Sequence, residues 1–190
     1  MTRSSLEIDN KVGFYGRLDW RPPWPLGIAI FYYDNRGDPT VFNPLKQWGW
    51  RTRFWNIGIN ADLGPRTKLL AQGMSGSTIM GFNTDGLPWV HTFFNSAFLL
   101  LTQQVGRKVA VSGRVEYFGT REHGSQMTGE AGENGWALTL AGRWSITDNL
   151  TGLLEALRVR SDRPSRQTLL GISPIETQTV LQASLRFRLW

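Results

Sequence analysis

The end of the chain carries the most constraining pattern in the sequence, an alternation of apolar and polar side chains over residues 177–190, TQTVLQASLRFRLW. One parity is apolar and the other polar: Leu181, Ala183, Leu185, Phe187 and Leu189 against Gln182, Ser184, Arg186 and Arg188. Because successive side chains of a β-strand point to opposite faces of its sheet, we expect a strand with one apolar and one strongly polar face. A membrane barrel, whose wall separates lipid from a watery lumen, is the class that needs such a strand.

The same alternation returns upstream, most clearly over residues 109–118 and 136–145, and predicts about nine strands. The connections between them alternate short and long, with long loops expected at 34–50, 76–88, 120–134 and 161–176. Short periplasmic turns and long external loops are typical of up-and-down outer-membrane barrels. The predicted fold class is therefore all-β, an antiparallel up-and-down transmembrane β-barrel.

Residues 1–10 are predicted to form an N-terminal segment or loop, and residues 11–190 the transmembrane barrel portion. Residues 1–11 show no apolar stretch typical of a signal peptide. Single-chain bacterial barrels have even strand numbers. The odd count and the missing signal favour the C-terminal part of a larger barrel, with a miscounted strand as the alternative.

Composition narrows the function classes. The 190 residues include no cysteine, which excludes disulfides and thiolate metal sites. No run approaches the ~18 apolar residues of a membrane helix. The formal net charge of +6 is compatible with nucleic-acid binding. However, the arginines are spread singly along polar strand faces, which favours a solvated barrel interior and no nucleic-acid partner.

Aromatic residues lie near the predicted strand ends. Trp136 and Trp144 are eight residues apart, about 26 Å along a strand at ~3.3 Å per residue. With a tilt of ~40° they are separated by ~20 Å along the membrane normal, near the ~25 Å band between two aromatic girdles. The alternative is an ordinary aromatic core. The predicted membrane-interface aromatics are Trp20, Trp55, Tyr117, Trp136, Trp144 and Trp190.

The polar strand faces supply the candidate pore lining. By parity it comprises Arg17, Asp19, Asp62, Arg114, Glu116, Arg143, Arg158, Arg186 and Arg188. Charged rings tune the selectivity of a pore through the local field, so a surplus of arginine predicts a preference for anions. In the alternative interpretation these charges pair across neighbouring strands and only solvate the wall. Glu155 shares a parity with leucines, so a bulge near it is possible and the register of that strand stays open.

Several segments resemble the C-terminal half of porins from Gram-negative outer membranes. They are GRLDWRPP (16–23), FYYDNRGDP (31–39), WGWRTRFW (48–55), FGTREHGS (118–125) and the closing RFRLW. The resemblance implies a non-enzymatic, water-filled channel in the cell outer membrane for passive diffusion of small hydrophilic solutes, commonly a homotrimer. It also implies contact with outer-membrane lipid and lipopolysaccharide, and insertion by the barrel-assembly machinery through the C-terminal strand. One departure is that Arg186 and Arg188 occupy the terminal parity at which the family's assembly signals place apolar residues.

The sequence offers little for other chemistry. His91 and His123 have no second ligand at metal spacing, and no cofactor motif is present. No serine, histidine and aspartate form a recognisable catalytic group. Two alternatives stay open, a soluble lipocalin-like barrel that binds a ligand and a non-conducting structural or adhesive outer-membrane barrel.

Overall fold

The computed structural model describes residues 11–42, 48–82, 85–123 and 132–188. Nine strands and one short helix form there: β1 Phe14–Trp20, β2 Leu26–Asp34, β3 Trp50–Gly64, β4 Thr67–Phe82, β5 Pro88–Gln104, β6 Val109–His123, β7 Glu133–Ser145, β8 Leu150–Asp162, α1 Ser165–Leu170 and β9 Ile175–Phe187. Within the described ranges, no helix is long and apolar enough to cross a membrane.

The strands form a single antiparallel sheet in which each strand pairs with the next one along the chain, in the order β1 to β9. This confirms the predicted all-β, up-and-down architecture and the count of nine strands. In the described part of the chain β1 and β9 do not contact each other, so the sheet is open between its two edges. That the strands belong to a larger barrel stays a prediction.

Strand lengths differ from the sequence-based expectation in the middle of the sheet. Residues 68–77 are the weakest predicted strand, yet β4 is sixteen residues long and pairs along its length with both β3 and β5. Sheet pairing therefore outweighs the low strand propensity of the glycines and serines in β4. As a result the β4–β5 connection spans only residues 83–87, and the predicted strict alternation of short and long connections does not hold there.

The backbone irregularity also lies elsewhere than expected. β8 pairs without interruption with β7 and β9, so there is no bulge near Glu155. The register shifts instead between Asp62 and Gly64, at the short turn that joins β3 to β4. Gly64 has a φ of 155°, a value that side chains with a Cβ rarely adopt. The bulge therefore belongs to a tight turn and leaves the faces of the long strands unchanged.

The strand register divides the sheet into two chemically different faces. Cross-strand neighbours share a face, so Leu18, Ile57, Leu99 and Leu138 lie on one side, which we name the apolar face. The opposite side, the polar face, carries the arginines of β1, β6, β7 and β9 together with amide, hydroxyl and carboxylate side chains.

The two faces also differ in which side chains are exposed and which are buried. On the apolar face Leu138, Leu154 and Leu185 are 60%, 64% and 73% exposed. Among the described residues, the buried hydrophobic side chains are only Ala110 and Ala137, which both lie on the polar face. A soluble protein would bury large aliphatic residues, whereas this sheet presents them outward.

Candidate pore-lining face and membrane belt

A cavity lies on the polar face over its first four strands. It has a volume of about 240 Å³ and is lined by Arg17, Asp19, Phe31, Asn56 and Gln72, which come from β1, β2, β3 and β4. In an outer-membrane barrel the polar face of such a sheet is turned to the lumen and the apolar face to lipid. We therefore expect the polar face on the inner side of the wall and the apolar face on the outer side.

Two of the predicted pore-lining cations, Arg17 and Arg114, are neutralised by ion pairs with neighbours on the same face. Arg17 donates two hydrogen bonds to Asp19, of 2.7 and 2.8 Å. Arg114 Nη2 lies 2.6 Å from Glu116 Oε2 and its guanidinium also stacks over a phenylalanine ring. In both pairs the partners are two residues apart along one strand. Among the described charges of the predicted lining, the pairing across strands that the sequence suggested is found only for the Lys68–Asp62 contact of 3.8 Å.

Two of the remaining predicted cations, Arg143 and Arg186, face the polar side near the short-turn end. Arg143 is on β7 opposite Ala110 and Leu153, and Arg186 is on β9 opposite Thr151. Arg188 continues the β8–β9 ladder, because its N–H bonds to the Asn149 carbonyl, and by alternation it shares the face of Arg186. Within the described residues none of the three has an ion-pair partner. They form a concentrated positive region, which we name the basic end.

The position of Arg158 contradicts the prediction that this residue lines the pore. The register pairs it with Leu138 and with Thr179, and both of these residues belong to the apolar face. β8 carries leucine on both parities, so the parity of Glu155 and Leu153 could be mistaken for the outward one. Their neighbours on β7 and β9 show that Glu155 faces inward and Arg158 outward.

The predicted interface aromatics lie on the apolar face in two groups. Trp20 and Trp144 are near short turns, whereas Trp55, Tyr117 and Trp136 are near the long-loop end. At the long-loop end the rings pair across strands: the Tyr117 and Trp136 centroids are 5.1 Å apart, and Trp55 lies 4.4 Å from the Tyr32 ring. Trp190 lies outside the described residues. The placement is the one expected of two membrane belts, whose role stays a prediction.

The loop between β8 and β9 is fastened to the rim of the polar face, a feature that the sequence did not predict. Arg166, on α1, lies 2.9 Å from Glu133 Oε1 and 3.4 Å from Glu176 Oε2. It also donates to Ser161 Oγ at 3.0 Å and to the Pro174 carbonyl at 3.0 Å. Its side chain is only 15% exposed. These contacts hold α1 at the long-loop end of the inner face.

Aromatic side chains also lie on the polar face, away from the strand ends at which the sequence predicted functional rings. Tyr15, Phe31, Tyr33, Phe54 and Phe94 belong to the polar face. Tyr15, Phe54 and Phe94 share the parity of arginine, asparagine or threonine in their own strands, and that parity was the available signal. β2 is apolar on both parities, so the sequence gives no such signal for Phe31 and Tyr33. The ring contacts of these five residues form a continuous series, described below.

The two histidines are opposite each other on β5 and β6, on the apolar face near the long-loop end. Both contact the ring of Phe93, with centroid distances of 4.1 Å for His91 and 5.9 Å for His123. In the described part of the chain, no group of three or more histidine, cysteine, aspartate or glutamate residues could hold a metal ion.

Comparison with known proteins agrees with this geometry. Residues 9–189 match the family described as putative beta-barrel porin-2, OmpL-like. No significant match is found among curated proteins or among solved structures. Since the match spans nearly the whole chain and the strands have the predicted up-and-down order, the chain belongs to this porin-like β-barrel family.

Proposed function

We propose that the chain forms the wall of an outer-membrane channel for the passive, non-enzymatic diffusion of small hydrophilic solutes. The observation that carries the proposal is the chemical difference between the two faces of the sheet: one face is polar and charged, and the other is apolar and exposed. Lipid solvates the outer side, between the two aromatic belts, and water and solutes occupy the inner side. Lipopolysaccharide and a homotrimeric assembly remain part of the proposal through the family resemblance.

The burial pattern weighs against a soluble, lipocalin-like barrel. Such a barrel encloses its ligand with apolar residues and turns its charged residues outward. Here the ion pair of Arg17 with Asp19 lines the inner cavity, whereas Leu140 and Leu181 on the outer face are 60% and 76% exposed. Removing these leucines from water requires lipid or a detergent micelle.

A preference for anions is the finer part of the proposal, and the basic end supports it. Arg17 and Arg114 contribute little net field because each has a carboxylate within 3 Å. Arg143, Arg186 and Arg188 have no such partner among the described residues, and a cluster of unpaired cations attracts anions over roughly a Debye length of 8–10 Å. The selectivity is therefore expected to depend on these three residues.

The test is electrical. Full-length protein reconstituted into planar bilayers should give discrete conductance steps, and a KCl gradient should give a reversal potential that favours chloride. Replacing Arg143 and Arg186 together by alanine should move that potential toward cations. The charge-neutral pair Arg17→Ala with Asp19→Ala should leave it nearly unchanged. Absence of conductance from heat-modifiable, inserted protein would contradict the channel, and a cation-selective wild-type channel would contradict the anion preference.

A further inference from the structure

A tract of aromatic rings crosses the polar face from β1 to β5. The ring centroids of Tyr15 and Phe31 are 6.0 Å apart, those of Phe31 and Phe54 5.7 Å, and those of Phe54 and Phe94 6.3 Å. Tyr33 joins the series at 5.2 Å from Phe54. Phe31, Tyr33, Phe54 and Phe94 are half-buried and Tyr15 is exposed, so part of each ring is accessible on the polar face. We name these five residues the inner aromatic tract.

The tract depends on a glycine that lets it pass over β4. Gly76 is the cross-strand neighbour of both Phe54 and Phe94. A Cβ at residue 76 would collide with the Phe54 Cβ, and it would lie only 2.7 Å from Phe94 Cζ. Only glycine leaves room for the two rings to meet across β4. The continuity of the tract is thus built into the backbone as well as into the aromatic side chains.

Hydrogen-bonding side chains border the tract on the same face. Asn56 and Gln72 line the 240 Å³ cavity beside Phe31, together with the Arg17–Asp19 pair. Asn60 lines the same cavity, and among the described residues the side chains of Asn56, Asn60 and Gln72 make no hydrogen bond. Their donors and acceptors are available to a solute. An aromatic surface and free amide groups therefore occur side by side.

This combination favours one class of solute. A sugar ring has an apolar C–H face that packs on an aromatic ring and hydroxyl groups around its edge that bond to amides and charged side chains. Flat aromatic solutes would instead be held in a slot between two parallel rings. Neighbouring rings of the tract have centroids 5.2 to 6.3 Å apart, which is direct ring contact and leaves no gap for a third ring between them.

We propose that the inner aromatic tract is a binding path for neutral saccharides inside the channel. The proposal rests on the proposed channel function and adds the class of solute to it. The rings lie close to one cross-strand row, so in a barrel whose strands are tilted by about 40° the tract rises obliquely along the wall. Sugars would move from ring to ring along it by short steps of about 6 Å while their hydroxyl groups exchange partners along the border. Binding at several weak sites in series speeds the transfer of a solute through a pore, because entry is favourable and no single site retains it.

The experiment measures block of the ionic current by a sugar. A linear trisaccharide of glucose is added to the full-length protein in a planar bilayer, and a polyethylene glycol of equal hydrodynamic radius serves as a solute without ring faces. Phe94→Leu keeps apolar volume in the tract but removes the aromatic face. Phe93→Leu is the matched control, because Phe93 is adjacent in β5 and lies on the apolar face. Heat-modifiable migration on unboiled gels checks that each variant is folded.

The trisaccharide should reduce the current saturably, and the polymer should not. Phe94→Leu should raise the half-blocking concentration about two- to tenfold, the range expected for loss of one aromatic contact, whereas Phe93→Leu should leave it unchanged. Conducting channels that the sugar does not block, or equal effects of the two variants, would overturn the saccharide path and leave the channel function intact. Block by phenol without block by the sugar would also overturn it. Folded, inserted protein without conductance would instead overturn the channel function itself.

Discussion

A charge placed on each face of one strand gives the most direct test of which face meets lipid. Leu140 lies midway between Trp136 and Trp144, faces the apolar side and is 60% exposed. Its cross-strand neighbours, Gly113 and Ala156, are too small to cover it. In a bilayer, an arginine at this position would lie near the midplane, equally far from the two aromatic belts.

The expected cost follows from that depth. Arginine at the midplane of a barrel's lipid face destabilises the barrel by about 2–4 kcal/mol, falling to about 0–1 near the interfaces. At 1.4 kcal/mol per factor of ten, Leu140→Arg should lower the folding equilibrium constant about 30- to 1,000-fold. The loss should appear as a lower denaturant midpoint for unfolding from phospholipid vesicles, at an unchanged slope.

The chain supplies a matched control at the next residue. Ala141 faces the polar side, where its cross-strand neighbours are Ser112 and Glu155. Ala141→Arg introduces the same side chain beside a carboxylate and water, so its cost should stay below about 1 kcal/mol. If Ala141→Arg were as destabilising as Leu140→Arg, or if neither changed stability, the assignment of the apolar face to lipid would be wrong.

Three further predictions test the lining and the loops. Gly76→Ala should destabilise the sheet by about 1–3 kcal/mol, because a Cβ at residue 76 has no room. Gly73→Ala is the control: a Cβ at residue 73 meets nothing within 4 Å, so this change should alter the unfolding free energy by no more than ~0.5 kcal/mol. Denaturant unfolding measures both free energies, and equal effects would contradict the packing argument. Arg166→Ala should speed amide hydrogen exchange in the loop between β8 and β9 at least tenfold, because two carboxylates lose their partner. Gln167→Ala should leave the exchange rate unchanged. Equal exchange in both variants would show that Arg166 does not hold the loop. Lys11 Nζ donates a hydrogen bond of 2.8 Å to Asp38 Oδ2, and mainly for this reason the pKa of Asp38 is lowered to about 2. The stabilising contribution of the Asp38 carboxylate is therefore complete above pH ~4 and disappears as the pH falls through 2. A carboxyl-carbon NMR titration with a midpoint near the usual 3.8 would contradict this.

The sequence predicts most of the strands because a strand repeats every two residues and both faces of this sheet are chemically distinct. The prediction fails where the pattern is ambiguous. β8 has leucine on both parities, Leu153 and Leu157 against Leu154, and only pairing with β7 shows that Arg158 is on the apolar face. The low β-propensity of β4 is outweighed in the same way by its two flanking strands.

The candidate site was only partly predictable for a related reason. Parity identifies which residues can face the lumen, and it assigned Arg17, Arg114, Arg143 and Arg186 to the face on which they lie. It carries no information about side-chain partners within that face, so the salt bridges of Arg17 and Arg114 had to come from the structure. α1 gave no sequence signal either, since it has six residues and no side-chain cap.

The ion pairs seen in the structure change which arginines could contribute to the proposed selectivity. A count of lumen-facing arginines treats each as an equal source of positive potential, but Arg158 faces outward, and Arg17 and Arg114 are closely paired. At the long-loop end the carboxylates of Glu133 and Glu176 bind Arg166. On the polar face, the unpaired cations that remain among the described residues are concentrated at the short-turn end. The proposed preference for anions should therefore be local. Salt should weaken it strongly, because these side chains are exposed and the Debye length shrinks from about 10 Å at 0.1 M to about 3 Å at 1 M.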